Sequence, residues 1–256
     1  MNPFCANEDD YHQRVINHHS GLQKVICPDS DLHAFVWGHE LDMHDAGRGG
    51  GNGSADLLLA DESGMAWLIE VKFDRTSEGG EFVWGSQLAR YKDAIGRMPW
   101  QELLRYSAKF LRGLEKTKPA YEFPVTVKAF TDVLSIWQRH IGRALVEPSE
   151  LNERIARHLG LGTYGIMVLT DIRDDTYGTS AEGFLHDGPL AYVLGTPTAD
   201  GMRYIRRWHR VGGPAQPTNS VVIGAAVDLD YPNRRVIHIH SRKAYGMNPV
   251  NYGFQR

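Results

Sequence analysis

The stretch that decides the fold is "GSADLLLADESGMAWLIEVKF", residues 53–73. Two apolar runs, 57–59 and 67–69, flank "DESG", whose composition is that of a turn, so the segment reads as a β-hairpin. Residues two apart on a strand share a face, so Glu70 and Lys72 point the same way. A hairpin centred on Ser63 sets Asp56 directly across from Glu70. Directly opposed Cβ atoms lie roughly 4.5–5.5 Å apart, and two carboxylates at that separation repel. A divalent cation between them removes the penalty, and hard oxygen ligands suit Mg²⁺ or Mn²⁺ better than zinc. A centre displaced by half a residue would send Asp56 to the other face. In the plainer alternative Asp56, Glu70 and Lys72 form a salt-bridge cluster at the rim. The apolar neighbours predict buried strands, with Glu70 and Lys72 at the strand end where the sheet meets solvent.

Working outward, Asn7 suits a helix N-cap, and Glu8, Asp9 and Asp10 follow where the helix dipole favours acids. Tyr11, Val15 and Ile16 then recur at helical spacing and predict a helix over about 8–19. Residues 33–43 alternate loosely and read as a strand. The glycine-rich "GRGGGNGS", 47–54, reads as a flexible loop over the site; no GK[ST] follows, so it is not a P-loop. Residues 84–98 predict a helix with Leu88, Tyr91 and Ile95 on one face. Further helices are expected at about 100–115, 126–144 and 148–159, the last stopped by Gly160 and Gly162. "TYGIMVLTD", 163–171, reads as a central strand and 190–196 as a weaker one. "SVVIGAAVDLD" and "RRVIHIHS" read as a late antiparallel pair around "YPN". The order of elements is that of a mixed α/β fold.

At 256 residues with 42% apolar and 23% charged residues, the chain is globular and fits one elaborated domain or two small ones. No apolar run approaches the ~20 residues of a membrane helix, and the acidic N-terminus lacks a signal core, so no membrane partner and a cytoplasmic location are expected. Cys5 and Cys27 form no CxxC pair, which argues against a disulfide framework or a thiolate zinc site. Residues 1–100 hold 16 Asp and Glu against 8 Lys and Arg, whereas 101–256 hold 15 against 20. Acids at a metal and bases along a polyanion track would give such a split, although an imbalance of this size also arises without function.

"MRYIRRWHR", 202–210, is compatible with a helix whose Arg203, Arg206, Arg207 and Arg210 form one basic stripe suited to phosphates. A solvated face paired elsewhere explains the same spacing. His238 and His240 form an HxH pair on an expected strand, but no third zinc ligand is in sight.

A [DE]xK triplet alone is weak, because 8 lysines among these acids give about one chance match. Its context carries more. "EVK" ends an apolar strand, Asp56 begins the preceding one, and "QLARY", 87–91, follows on a helix with Gln87 and Tyr91 one turn apart. Together these residues resemble the PD-(D/E)xK nuclease superfamily, in particular its RecB- and NucS-type branches with a QxxxY helix. The core of that superfamily is a helix, a strand, a hairpin carrying Asp and then (Asp/Glu)-x-Lys, a helix and a further strand. Ala55 stands where the motif's name has Pro.

The resemblance implies a restriction-endonuclease-like mixed β-sheet core flanked by helices, over 7–95 and 163–196. A helical insertion at 100–160 and a C-terminal elaboration at 197–256 would lie within the same domain. It further implies that Asp56 and Glu70, with the Val71 carbonyl, bind Mg²⁺ or Mn²⁺. Lys72 orients water or stabilises the transition state. Glu8 completes a second metal site or holds Lys72, and Gln87 and Tyr91 position Lys72 or touch a phosphate. The expected substrate is nucleic acid, DNA first, cut by an endonuclease of defence, restriction or repair. A homodimer would suit double-strand cutting, and a targeting partner would suit a chain with no separate reading domain. The other reading is a catalytically silent nucleic-acid-binding or structural module of the same fold.

Overall fold

A computed structural model of the chain describes residues 3–27, 32–42, 53–74, 78–97, 147–211, 222–227 and 235–240. The expected helices at 100–115 and 126–144, the loop 47–52 and the "YPN" turn lie outside these residues.

Helix α1 spans Glu8–Asn17. The Asn7 side chain accepts from the Asp10 amide at 2.9 Å, and Asp10 accepts in return from the Ala6 amide at 3.0 Å, so the first turn is capped from both sides. Its buried face is Tyr11, His12, Val15 and Ile16. The chain breaks at His18 and starts a second helix, α2 (His19–Ile26), which the periodicity does not foreshadow. Gly21 lowers the intrinsic helix preference there, and the burial of Leu22, Val25 and Ile26 outweighs it.

Strands β1 (Ala34–Asp42), β2 (Ser54–Asp61) and β3 (Ala66–Lys72) form an antiparallel meander. The β2–β3 turn is held from within. Asp61 accepts from the Ser63 and Met65 amides at 2.9 and 3.2 Å, and Gly64 adopts φ +86°. It is also held from outside, since a Cβ on Gly64 would fall 2.3 Å from the Arg154 Cβ.

A continuous helical rod follows: α3 (Gly80–Phe82), a π-helical stretch (Val83–Leu88) and α4 (Ala89–Arg97). Trp84, Leu88, Tyr91 and Ile95 are its buried stripe, which includes the three residues expected to share a face. Helix α5 (Pro148–Gly160) runs through Gly160 and stops at Gly162, which takes φ +67°. Strand β4 (Gly165–Thr170) is buried throughout. Helix α6 (Thr176–Glu182) leads to β5 (Leu190–Thr198) and β6 (Gly201–Arg210). Strands β7 (Val222–Val227) and β8 (Arg235–His240) are the expected antiparallel pair.

The main sheet has the order β1-β2-β3-β4-β5-β6. The β3–β4 and β4–β5 pairs are parallel and the others antiparallel, which makes a mixed sheet in an α/β chain. The parallel centre requires cover on both faces, and β3 and β4 are accordingly apolar almost end to end. Among the described residues no helix is long and apolar enough to cross a membrane.

The expectation for 202–210 is overturned. The segment 202–210 is not a helix with a basic stripe but part of strand β6, paired to β5 with a bulge between Tyr192 and Val193. Arg206 and Arg210 turn inward beside Tyr204 and Trp208, while Arg203 and Arg207 stay half-buried, so the four arginines share no exposed face. Arg206 donates to the Ile26 carbonyl at 3.2 Å, and Arg210 donates to those of Phe184 and His186 at 2.9 Å each. These guanidiniums satisfy loop and helix-end carbonyls instead of offering themselves to phosphate. Arg210→Ala should therefore lower stability in urea unfolding by about 3 kcal/mol, since two buried acceptors lose their donors. Arg207→Ala, which loses only a 3.9 Å pairing with Asp175, should cost under about 1 kcal/mol.

Candidate metal centre

The open end of the β2–β3 hairpin, opposite the turn, gathers the charged residues singled out in the sequence. The ladder pairs Leu57 with Ile69 and Leu59 with Trp67, a register centred on Ser63. Continued by one residue, it sets Asp56 across from Glu70. Asp56 is steadied by the Val71 amide, which donates to its Oδ2 at 2.6 Å. Val71 thus meets Asp56 through its N–H.

Glu70 and Lys72 do not lie at a solvent edge. They are 1% and 7% exposed, because helices and neighbouring strands cover the end of β3. Lys72 Nζ lies 2.8 Å from Glu70 Oε1 and 2.8 Å from Glu78 Oε2, so one buried ammonium is shared by two carboxylates. Glu78 has a built position. Tyr177 donates to its carbonyl at 3.0 Å, and the Gly80 amide donates to Thr176 Oγ1 at 3.1 Å. A Cβ on Gly80 would fall 2.3 Å from the Thr176 carbonyl oxygen, so this segment is seated directly on α6.

Helix α1 approaches the same end. Glu8, His12 and Asp56 offer ligand atoms that all lie within 4.8 Å of one another. His12 Nε2 is 3.9 Å from Glu8 Oε1 and is buried without a hydrogen-bond partner, as is Glu70 Oε2. Glu8 thus meets Asp56 and His12, and the second carboxylate on Lys72 is Glu78. Gln87 and Tyr91 act one step back. Tyr91 donates to the Ser54 carbonyl at 2.8 Å and receives the Gln87 amide at 3.3 Å, which pins β2 two residues before Asp56.

The electrostatics follow from burial. Burial raises the Asp56 pKa well above the usual carboxylate value, the Glu70 charge adds to this, and the Val71 amide opposes it. Burial pushes Glu70 up to about 7 despite the pull of Lys72. Burial alone would lower Lys72, but Glu70 and Glu78 together raise it above its ordinary value. Burial, then His39 and Lys72, lowers His12 to about 3, so its imidazole is neutral near pH 7. Four carboxyl groups surround one ammonium, and a cation there would let Asp56 and Glu70 ionise instead of holding protons.

Glu78 is not singled out by sequence, and His12 and His39 are two of six histidines over 12–44 whose irregular spacing gives no HExxH or HxH ligand pattern. His12 stands four residues after Glu8, a spacing visible in "EDDYH", but its approach to Asp56 depends on how α1 docks. Glu78 falls outside the strand pattern and is joined to Lys72 only by the fold.

A raised carboxylate pKa means the native state holds a proton that the unfolded chain has lost, so stability falls as pH climbs from the unfolded to the folded value. Buried His12, His186 and His209, lowered from 6.5 to about 3, 4 and 3, act in the opposite sense over a window that overlaps this one. The comparison must therefore be differential. The stability of wild type relative to Glu70→Gln should decline between about pH 4.5 and 7 in metal-free buffer. Mn²⁺ should raise the wild-type melting temperature more at pH 7.5 than at pH 5. Thermal melts of both proteins across that range check this.

No protein-family model matches the chain, and no curated protein and no solved structure shows significant similarity to it.

Proposed function

We propose that this chain is a metal-dependent nuclease that hydrolyses phosphodiester bonds of DNA, an endonuclease of defence, restriction or repair built on a restriction-endonuclease-like core. The carrying observation is the opposed pair Asp56 and Glu70 on adjacent antiparallel strands, with Lys72 two residues on and the acidic first turn of α1 beside it. The element order supports the same reading: α1, the meander β1–β3, a helix, then β4 parallel to β3.

The residues present fit a divalent cation. Buried ligand atoms with no hydrogen-bond partner, His12 Nε2 and Glu70 Oε2, adjoin the carboxylates of Asp56 and Glu8. Asp56, Glu8 and His12 would hold the ion, with Glu70 beside them, and this nitrogen–oxygen set suits Mn²⁺ as well as Mg²⁺. When bound, such an ion acidifies a water and offsets charge on the phosphate. The protein's own part is positioning. The Val71 amide orients Asp56, and the Tyr91–Gln87 pair fixes the strand that carries it. The Lys72 ammonium, held by Glu70 and Glu78, offers a fixed positive charge to a phosphate oxygen that gains charge in the transition state.

The test is cleavage of plasmid and of labelled single- and double-stranded DNA and RNA with Mg²⁺, Mn²⁺ or EDTA. Wild type should cut with a metal and not with EDTA. Asp56→Ala and Lys72→Ala should each lose at least about 100-fold in rate. Equal cutting by wild type and both variants would overturn the site. A folded wild type that binds nucleic acid but cuts under no condition would favour the binding module.

A further inference from the structure

The geometry points to His39 as a positioning residue. It commits His12 to bind a cation through Nε2 and gives the centre a preference for Mn²⁺ and later divalent ions over Mg²⁺. This rests on the metal centre proposed above and goes beyond it.

His12 is 3% exposed, and its two ring nitrogens meet different surroundings. Nδ1 lies 3.1 Å from His39 Nε2, with the rings nearly perpendicular at 83°, so the edge of one ring addresses the other. Nε2 has no hydrogen-bond partner and looks toward Glu8 Oε1 at 3.9 Å and the Asp56 carboxylate. A neutral imidazole carries one ring proton. With that proton on Nε2, His12 points an N–H at the acids and has no lone pair there for an ion. With it on Nδ1, His12 donates to His39 Nε2, and the Nε2 lone pair faces the carboxylates. Only the second arrangement binds a cation, and it requires an acceptor at Nδ1. His39 is that acceptor, so its own proton sits on Nδ1.

Its place is set by the sheet. His39 lies across from Leu57 on the β1–β2 ladder, next to the position of Asp56. One strand pair therefore carries both a carboxylate ligand and the group that aims the nitrogen ligand. A neutral nitrogen donor adds little for Mg²⁺, which favours oxygen, and adds more for Mn²⁺ and later divalent ions.

The experiment is calorimetric titration of Mn²⁺ and of Mg²⁺ into wild type, His39→Phe and His39→Gln, with circular dichroism as the control for folding. Wild type should bind Mn²⁺ more tightly than Mg²⁺. His39→Phe should weaken Mn²⁺ about tenfold or more and Mg²⁺ less. His39→Gln, whose carbonyl accepts in the same place, should keep most of the Mn²⁺ affinity. With Zn²⁺ as a diamagnetic probe, the imidazole ¹⁵N spectrum of wild type should put the His12 proton on Nδ1. Unchanged Mn²⁺ affinity in folded His39→Phe, or a His12 proton on Nε2 with Zn²⁺ bound, would overturn the proposal and leave the nuclease reading standing. A wild type that binds neither Mn²⁺ nor Mg²⁺ would sink both. One that binds Mn²⁺ through His12 but cuts nothing would sink only the nuclease reading.

Discussion

Two carboxylates set across from each other on one antiparallel hairpin repel, and much of the described structure serves to hold that repulsion in place. Each acid is answered by a different group. Asp56 takes the Val71 amide, and Glu70 takes the Lys72 ammonium. Lys72 takes Glu78 as well, and Glu78 is seated on α6 through the Tyr177 hydroxyl. The chain of restraints runs from the middle of the sheet to a helix about a hundred residues further along the sequence. Burial gives it force, because the same charges in water would be screened and worth little.

The sheet makes that burial possible. β3 is hydrogen-bonded on both sides, antiparallel to β2 and parallel to β4. A strand so placed must be apolar along its length, and the only charges it carries are at its last turn of the pleat, Glu70 and Lys72. Helix α1 brings Glu8 and His12 to the same end, and Tyr11 of that helix stacks on Phe73 at 5.1 Å, one residue past β3. The docking of α1 is therefore tied to the strand whose end it completes.

Much of this was legible from local chemistry. The hairpin and its register follow from two apolar runs around a turn, which the backbone of Gly64 and the Asp61 side chain then satisfy. The helical stripe of Leu88, Tyr91 and Ile95 and the apolar strand β4 were equally plain. What failed needed information from far along the chain. In 202–210 the arginines recur at a helical interval, yet pairing with β5 decides for strand, and buried carbonyls of Ile26, Phe184 and His186 decide which arginines turn inward. The burial of Glu70 and Lys72 depends on elements that cover them, and so does the arrival of His12 and Glu78. No spacing within a single segment records such contacts.

The two ends of the β2–β3 hairpin are unlike in what they tolerate. At the tip, Glu62 accepts the His33 amide at 2.8 Å, Arg154 donates to the Glu62 carbonyl at 3.3 Å, and Gly64 has no room for a methyl group. That tip is sealed under α5 and admits neither a longer turn nor a grafted peptide. The turn between β5 and β6, by contrast, presents Ala199 and Asp200 to solvent. Its flanks are held, since Arg14 donates to the Thr198 carbonyl at 3.2 Å and a Cβ on Gly201 would fall 2.6 Å from the His18 ring. A fluorophore or fused module therefore belongs at Ala199 and Asp200 themselves, where it leaves the strands that aim Asp56 and Glu70 in place.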